Sequence, residues 1–137
     1  AAHHQLWWHP KGLMAFFIML VWQIPHFWAL AIRYQDDYAR ASIPVLPITH
    51  GKSFTRVTIL ISTILLILLA LLSPLVFSLR WGYWLLILPS SVWLGYALVG
   101  YWKKPDERRT WFIYFLALNS TMLVYLVGLT IDPWLAL

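Results

Sequence analysis

The chain has 137 residues, of which 61% are hydrophobic and only 11% are charged. A soluble domain typically has about a quarter of its residues charged, so this sequence has too few polar side chains to cover a water-soluble core. The net charge is +5, but the basic residues lie in the gaps between apolar runs. This placement favours an anionic membrane surface or a phosphate-bearing substrate over nucleic acid. The absence of cysteine excludes a disulfide framework and thiolate chemistry.

Four apolar segments follow one another along the chain, at about residues 13–32, 57–77, 81–102 and 111–131. Each is long enough to cross the hydrocarbon core of a bilayer, which takes about 20 helical residues. The runs are continuous and lack the alternation of barrel strands, so helix is the spanning form that they predict. The expected fold is therefore all-α: a polytopic membrane bundle with four transmembrane helices, integral to a bilayer.

The connections between these segments predict the orientation of the bundle. The connections at 33–56 and 103–110 each carry four basic residues, whereas the other side has only Lys11 and Arg80. By the positive-inside rule both basic connections are cytoplasmic and the C-terminus is periplasmic, and we expect the membrane to be a bacterial inner membrane. The first connection also contains an apolar stretch, residues 43–48, which predicts that it folds back onto the bundle.

Three prolines interrupt the apolar segments, namely Pro25, Pro74 and Pro89. Each removes a backbone donor from its helix and frees a carbonyl that must find a partner inside the protein. His26, next to Pro25, is the one histidine inside a predicted span, and an intramembrane ionisable residue is a functional candidate. The alternative is a neutral histidine hydrogen-bonded to a carbonyl that the proline frees.

Charged residues cluster just after the first apolar segment: Arg33, Asp36, Asp37 and Arg40. If the first helix continues for a turn or two, their i, i+3, i+4, i+7 spacing places all four on one face. They then form either an exposed salt-bridge cluster of little energetic consequence, or a carboxylate pair that binds Mg²⁺ together with a phosphate. In the second interpretation Lys52 and Arg56, on the same connection, supply further phosphate contacts.

The stretch WQIPHFWALAIRYQDDYARASIPVLPITHGKSFTR, residues 22–56, closely resembles the central signature of the protoheme IX farnesyltransferase family (haem O synthases) of the UbiA superfamily. The order Trp-Gln-x-Pro-His-Phe, then Asp-Tyr, then Ile-Pro-x-Leu-Pro carries the resemblance. The later stretch VWLGYALVGYWKKPDERRTWFIYF is similar to the family's next-to-last helix and the cytoplasmic loop that follows it.

The resemblance implies a fold, a reaction and a site. The family condenses farnesyl diphosphate with a vinyl group of haem b, a substrate rather than a cofactor, and gives haem o and diphosphate. Its fold is a bundle of about nine membrane helices, with two aspartate-bearing cytoplasmic loops that hold Mg²⁺ and diphosphate. By resemblance Asp36 and Asp37 bind the metal, all three of Asp36, Asp37 and His26 act in catalysis, and His26 lies near the haem. The residues implied around the diphosphate are Arg33, Tyr38, Lys52 and Arg56.

The sequence departs from the superfamily pattern in two places. Quinone-type members have a second motif similar to Asp-x-x-x-Asp, whereas here the acids are adjacent and Ser42 stands where a later acid is expected. The first motif, of the Asn-Asp-x-x-Asp type, is absent, and no acidic residue precedes Asp36. We therefore expect residues 1–137 to be the C-terminal portion of a single prenyltransferase domain, inactive without its N-terminal half. Two alternatives stay open: a prenyltransferase acting on a quinone-precursor ring, and a non-catalytic four-helix membrane subunit.

Overall fold

The computed structural model describes residues 10–131, which form helices joined by short connections. In chain order the helices are α1 (Pro10–Arg33), α2 (Gln35–Arg40), α3 (Leu46–Thr49), α4 (Gly51–Phe77), α5 (Trp81–Lys103) and α6 (Arg108–Ile131). The four long helices α1, α4, α5 and α6 are long and apolar enough to cross a membrane. The predicted all-α fold with four spans is therefore confirmed.

The start of α4 corrects the sequence prediction. The helix begins at Gly51, whereas hydropathy placed the second span at residue 57 and assigned residues 51–56 to the connection. Hydropathy misses these first turns because most of their side chains are polar. Gly51, at the junction of α3 and α4, has φ +84°, a left-handed conformation that glycine adopts without the strain of a side chain.

The long helices pack as two antiparallel pairs, α1 with α4 and α5 with α6. The two pairs meet through α4 and α5 and through α1 and α6. Four tyrosines are fully buried in the core: Tyr83, Tyr101, Tyr114 and Tyr125. The rings of Tyr101 and Tyr114 stack with their centroids 5.0 Å apart. The core is thus aromatic on the α5 and α6 side, and it carries hydroxyl groups that need partners inside the bundle.

Hydrogen bonds from buried tyrosines join α4 to α5 and α6. The hydroxyls of Thr63 and Tyr114 are 2.7 Å apart, and Tyr83 donates to the carbonyl of Ala70 over 2.6 Å. This carbonyl is the one that Pro74, four residues later, cannot engage, because proline has no N–H. The prediction that a carbonyl freed by proline finds a partner inside the protein is confirmed for Pro74.

The connection between α1 and α4 folds back onto the bundle, as predicted. Its short helix α3 packs against both α4 and α1, and Val45 and Pro47 are buried there. Pro47 is tolerated in the first turn of α3 because the leading N–H groups of a helix have no partner within it. Consequently α2 and α3 lie at the end of the bundle where α1 ends and α4 begins.

Candidate functional site

The charged residues after α1 do not lie on one continuous helix. α1 ends at Arg33, and Tyr34, with φ −108° and ψ 27°, separates it from α2. The condition for one shared charged face, a first helix that continues for a turn or two, is therefore not met. Asp37 accepts a hydrogen bond from Arg40 on an exposed side of α2. Asp36 instead lines a groove together with Arg33.

This groove, the charged groove, opens at the end of the bundle where α1 ends and α4 and α6 begin. Its volume is about 220 Å³. It is lined by Trp111 and by the polar residues Arg33, Gln35, Asp36, Lys52, Asp106, Glu107 and Arg108. The packing thus brings three of the predicted site residues together, on α1, α2 and α4, and sets them against the connection between α5 and α6.

Two of the three carboxylates in the charged groove are already paired with cations outside its lining. Asp106 lies 2.9 Å from Arg56, and Glu107 lies 3.5 Å from Lys104. Asp36 forms no ion pair within residues 10–131, and neither do the cations of the lining, which are Arg33, Lys52 and Arg108. Three cations against one unpaired carboxylate leave two formal positive charges. The groove is therefore suited to a polyvalent anion such as a diphosphate.

The charged groove also offers oxygen atoms suited to a hard cation. Oε1 of Gln35 is buried and has no hydrogen-bond partner among the described residues, and Asp36 is its neighbour in sequence. Within residues 10–131, no three His, Cys, Asp or Glu side chains form a metal cluster. Mg²⁺ usually takes one or two protein carboxylates and completes its coordination with phosphate oxygens and water. The donor set therefore fits a magnesium ion that is bound together with a diphosphate.

Trp111 places Arg33 at the wall of the charged groove. Its indole Nε1 donates to the carbonyl of Ala29 over 2.9 Å, which ties the start of α6 to the end of α1. The guanidinium carbon of Arg33 lies 5.8 Å from the centre of the indole ring, a cation–π geometry. Trp111 and the acids of the α5–α6 connection were not predicted as site residues, because they reach the groove only through the packing of the two helix pairs.

His26 lies outside the charged groove, between aromatic rings on α1 and α6. Its ring centroid is 4.6 Å from that of Trp22 and 5.0 Å from that of Phe115. Nδ1 of His26 is buried and has no hydrogen-bond partner in the part of the chain that the structure describes, so this nitrogen does not bond a carbonyl freed by proline. Phe115 stacks in turn on Trp111 at 5.2 Å. A continuous stack of rings therefore leads from His26 to the wall of the groove.

Two predicted diphosphate-binding residues do not line the charged groove. Tyr38 is half-buried on α2. Arg56 donates a hydrogen bond to Asp106 and lines a separate cavity on the surface of α4 and α5 with Trp102. Neither position contradicts a role in the site, but Arg56 reaches the groove lining through Asp106.

Residues 1–132 of the chain match the UbiA prenyltransferase family. The chain belongs to this family. As a UbiA family member with four helices able to cross a bilayer, it is an integral membrane protein. It is 36% identical to a protein named protoheme IX farnesyltransferase from Bdellovibrio bacteriovorus, over 92% of the chain and 43% of that relative.

A second relative of the same name, from Methylococcus capsulatus, is 39% identical over 88% of the chain and 39% of its own length. The chain thus spans about two fifths of the length of these curated UbiA relatives. No solved structure matches it.

Proposed function

We propose that the complete protein carrying this chain transfers the farnesyl group of farnesyl diphosphate to a vinyl group of haem b, giving haem o and diphosphate. The observation that carries the proposal is the excess of unpaired cations, Arg33, Lys52 and Arg108, around Asp36 in the charged groove. The names of the relatives supply the substrates, because both are protoheme IX farnesyltransferases. In this proposal residues 1–137 form the C-terminal portion of the site, and an N-terminal half supplies the rest.

The reaction needs a site that stabilises a leaving diphosphate. The bond between C1 of the farnesyl chain and the diphosphate oxygen breaks, and its electron pair leaves with the diphosphate. The π electrons of the vinyl group form the new carbon–carbon bond to the allylic cation. Water adds to the cation that remains on the haem side chain and loses a proton, which gives the hydroxyl group of haem o. Negative charge therefore builds on the diphosphate, where fixed cations stabilise the transition state most.

In this proposal, residues at this end of the bundle bind different parts of the leaving group. Arg33 and Lys52 bind phosphate oxygens through charge-assisted hydrogen bonds. Asp36 and Asp37 would hold the Mg²⁺ that accompanies the diphosphate, and Asp37 would then exchange its bond to Arg40 for the metal. When bound, Mg²⁺ neutralises charge on the departing group. The ion pair that Asp37 makes on the exposed side of α2 is weak enough to be exchanged.

The aromatic stack around His26 is the part of the chain that suits the acceptor. A binding site for a large planar ligand combines apolar and aromatic walls with a small number of polar groups. Trp22 and Phe115 provide such walls, and the buried Nδ1 of His26 has no competing partner among the described residues. In this proposal the ring stack and the charged groove are two neighbouring parts of one site.

We further propose that the charged groove faces the cytoplasm of a bacterium, with the helices in its inner membrane. The connections that line the groove are the two that carry most of the basic residues, and such connections stay on the cytoplasmic side. A periplasmic C-terminus follows from the same count. That terminus lies beyond residue 131, outside the described residues.

Charge-neutralising variants of the complete protein test this function. In membranes supplied with haem b, farnesyl diphosphate and Mg²⁺, we expect Asp36→Asn and Asp37→Asn each to slow haem o formation by about 10²-fold or more, as for other electrostatic groups at a reacting centre. The matched control is Arg109→Gln, which removes an exposed charge that does not line the groove and should keep the rate. Haem o is separated from haem b by chromatography.

The other outcomes of this experiment separate the alternatives. A wild-type protein that prenylates 4-hydroxybenzoate and leaves haem b unchanged would assign a quinone-precursor acceptor. Undiminished haem o formation in both aspartate variants would refute the proposed site. A wild-type protein that prenylates neither acceptor would favour a non-catalytic membrane subunit.

A further inference from the structure

The ion pair between Arg56 and Asp106 joins helix α4 to the connection between α5 and α6, across a separation of 50 residues in the chain. Nη2 of Arg56 donates to Oδ1 of Asp106 over 2.9 Å. The bond ties the first turns of α4 to the connection between α5 and α6. The other ion pairs within residues 10–131 join residues three positions apart, so they stabilise local structure only.

The two partners of this ion pair are held very differently. The side chain of Arg56 is 23% exposed and that of Asp106 is 83% exposed. Most of the Arg56 side chain is buried against the bundle, and it borders a cavity with Ser53, Val57 and Trp102. Long arginine stems pack in this way while the charged group reaches outward. The arginine is therefore the fixed partner, and the exposed aspartate is the one that it restrains.

Asp106 belongs to the wall of the charged groove, as do the next two residues, Glu107 and Arg108. Local bonds hold the backbone of this connection: the hydroxyl of Thr110 donates to the carbonyls of Lys104 and Glu107. The N–H of Glu107 reaches the carbonyl of Lys104 over 3.3 Å, longer than a usual backbone hydrogen bond. None of these local bonds involves the side chain of Asp106, so among the described residues the bond from Arg56 is the contact that ties this side chain to another helix.

We propose that the ion pair between Arg56 and Asp106 is a latch that positions Arg108 in the charged groove. Arg56 is then a positioning residue for the diphosphate and does not bind it, which revises the expectation from sequence. The inference rests on the proposed function, since it gives Arg108 the role of a diphosphate contact. The two possible roles of Arg56, a latch or a direct ligand of the diphosphate, predict opposite effects of removing Asp106 on the KM for farnesyl diphosphate. Its removal loosens the wall in the first case and frees Arg56 for phosphate in the second.

The test compares variants of the complete protein by two independent measurements. The first is the KM for farnesyl diphosphate and the kcat, at saturating haem b. The second is hydrogen exchange of residues 103–111, followed by mass spectrometry. For Asp106→Asn and Arg56→Gln the latch predicts that KM and exchange rate each rise about two- to tenfold, the effect of losing a partly exposed ion pair, with little change in kcat. Arg56→Lys keeps the positive charge at this position, so its KM and exchange rate should stay close to the wild-type values.

Arg109→Gln is the matched control, because it removes a neighbouring exposed charge that does not line the charged groove. It should leave both measurements unchanged. A lower KM for Asp106→Asn with unchanged exchange would overturn the latch and make Arg56 a direct ligand. Unchanged exchange in both single variants of an active enzyme would refute the latch alone. A wild-type protein that forms no haem o would refute the proposed function, and with it the role of the latch in diphosphate binding.

Discussion

Tyr83 and Pro74 form a coupled pair whose energy can be measured. Pro74 has no N–H to offer the carbonyl of Ala70 within α4, and Tyr83 donates to that carbonyl over 2.6 Å. Tyr83 is fully buried. Tyr83→Phe therefore removes a donor that the helix itself cannot replace, and it leaves a polar atom unsatisfied in apolar surroundings.

The expected loss of stability is large because α4 has no backbone N–H that could replace Tyr83 at the carbonyl of Ala70. Hydrogen bonds in membrane proteins contribute about 0.6 kcal/mol on average and about 1.7 kcal/mol at most. Because the backbone donor is absent, we expect Tyr83→Phe to cost about 1.5 kcal/mol, near the upper limit. In a Pro74→Ala background the N–H returns, and the same substitution should cost about 0.5 kcal/mol or less. Ser73 also hydrogen-bonds Tyr83, but its contribution is present in both backgrounds and cancels from the coupling of about 1 kcal/mol.

The assay is reversible unfolding of the complete protein in mixed micelles with an increasing fraction of denaturing detergent. Four proteins form the cycle: the wild type, each single variant and the double variant. Tyr114→Phe in both backgrounds is the control, because its partner Thr63 keeps a hydrogen bond to the carbonyl of Ile59. Equal costs of Tyr83→Phe with and without Pro74 would show that the proline-freed carbonyl does not need the tyrosine.

Three further experiments have expected outcomes: a pair of glycine substitutions, a pair of substitutions at Trp111 and a preparation of residues 1–137 alone. Gly128→Ala places a Cβ 3.0 Å from a carbon of a buried tyrosine ring and should destabilise the protein by about 1–3 kcal/mol. Gly95→Ala, whose Cβ meets nothing within 4 Å among the described residues, should be nearly neutral in the same unfolding assay, and equal effects would contradict this reasoning. Trp111→Leu removes the ring that faces Arg33 and should raise the KM for farnesyl diphosphate about three- to tenfold, whereas Trp111→Phe should raise it less. A preparation of residues 1–137 alone should form no haem o with Mg²⁺, and sustained haem o formation would refute the proposed division of the site.

Hydropathy predicted most of the fold because a bilayer leaves few structures open to the backbone. Three of the spans were placed within three residues of the helix ends, and α5 begins at Trp81 as predicted. The exception is α4, whose first turns from Gly51 carry polar side chains and extend beyond the apolar run. A helix continues while its backbone bonds are satisfied, whereas a hydropathy window ends where the side chains become polar.

The site was predicted as far as it is local in sequence. Arg33 and Asp36 are three residues apart, and a pattern search finds them together. Asp36 and Asp37 are neighbours on α2 and therefore point in different directions. The break at Tyr34, which separates α2 from α1, was not indicated by any spacing rule. The contact of Arg56 with Asp106 could not be predicted from sequence, because the two residues are 50 positions apart. The contact between Arg56 and Asp106 exists only because α4 leaves this end of the bundle and α5 returns the chain to it.

The charged groove therefore depends on how the two helix pairs are aligned. α1 and α4 carry most of its predicted residues, while α6 and the connection before it carry its remaining wall. Apolar packing between helices allows small shifts along their axes, whereas a hydrogen bond such as that between Thr63 and Tyr114 fixes their relative position to within a few tenths of an ångström. Buried hydroxyl contacts deep in the bundle should therefore hold the groove in register. A substitution that weakens them would raise the KM for farnesyl diphosphate without touching any residue of the groove.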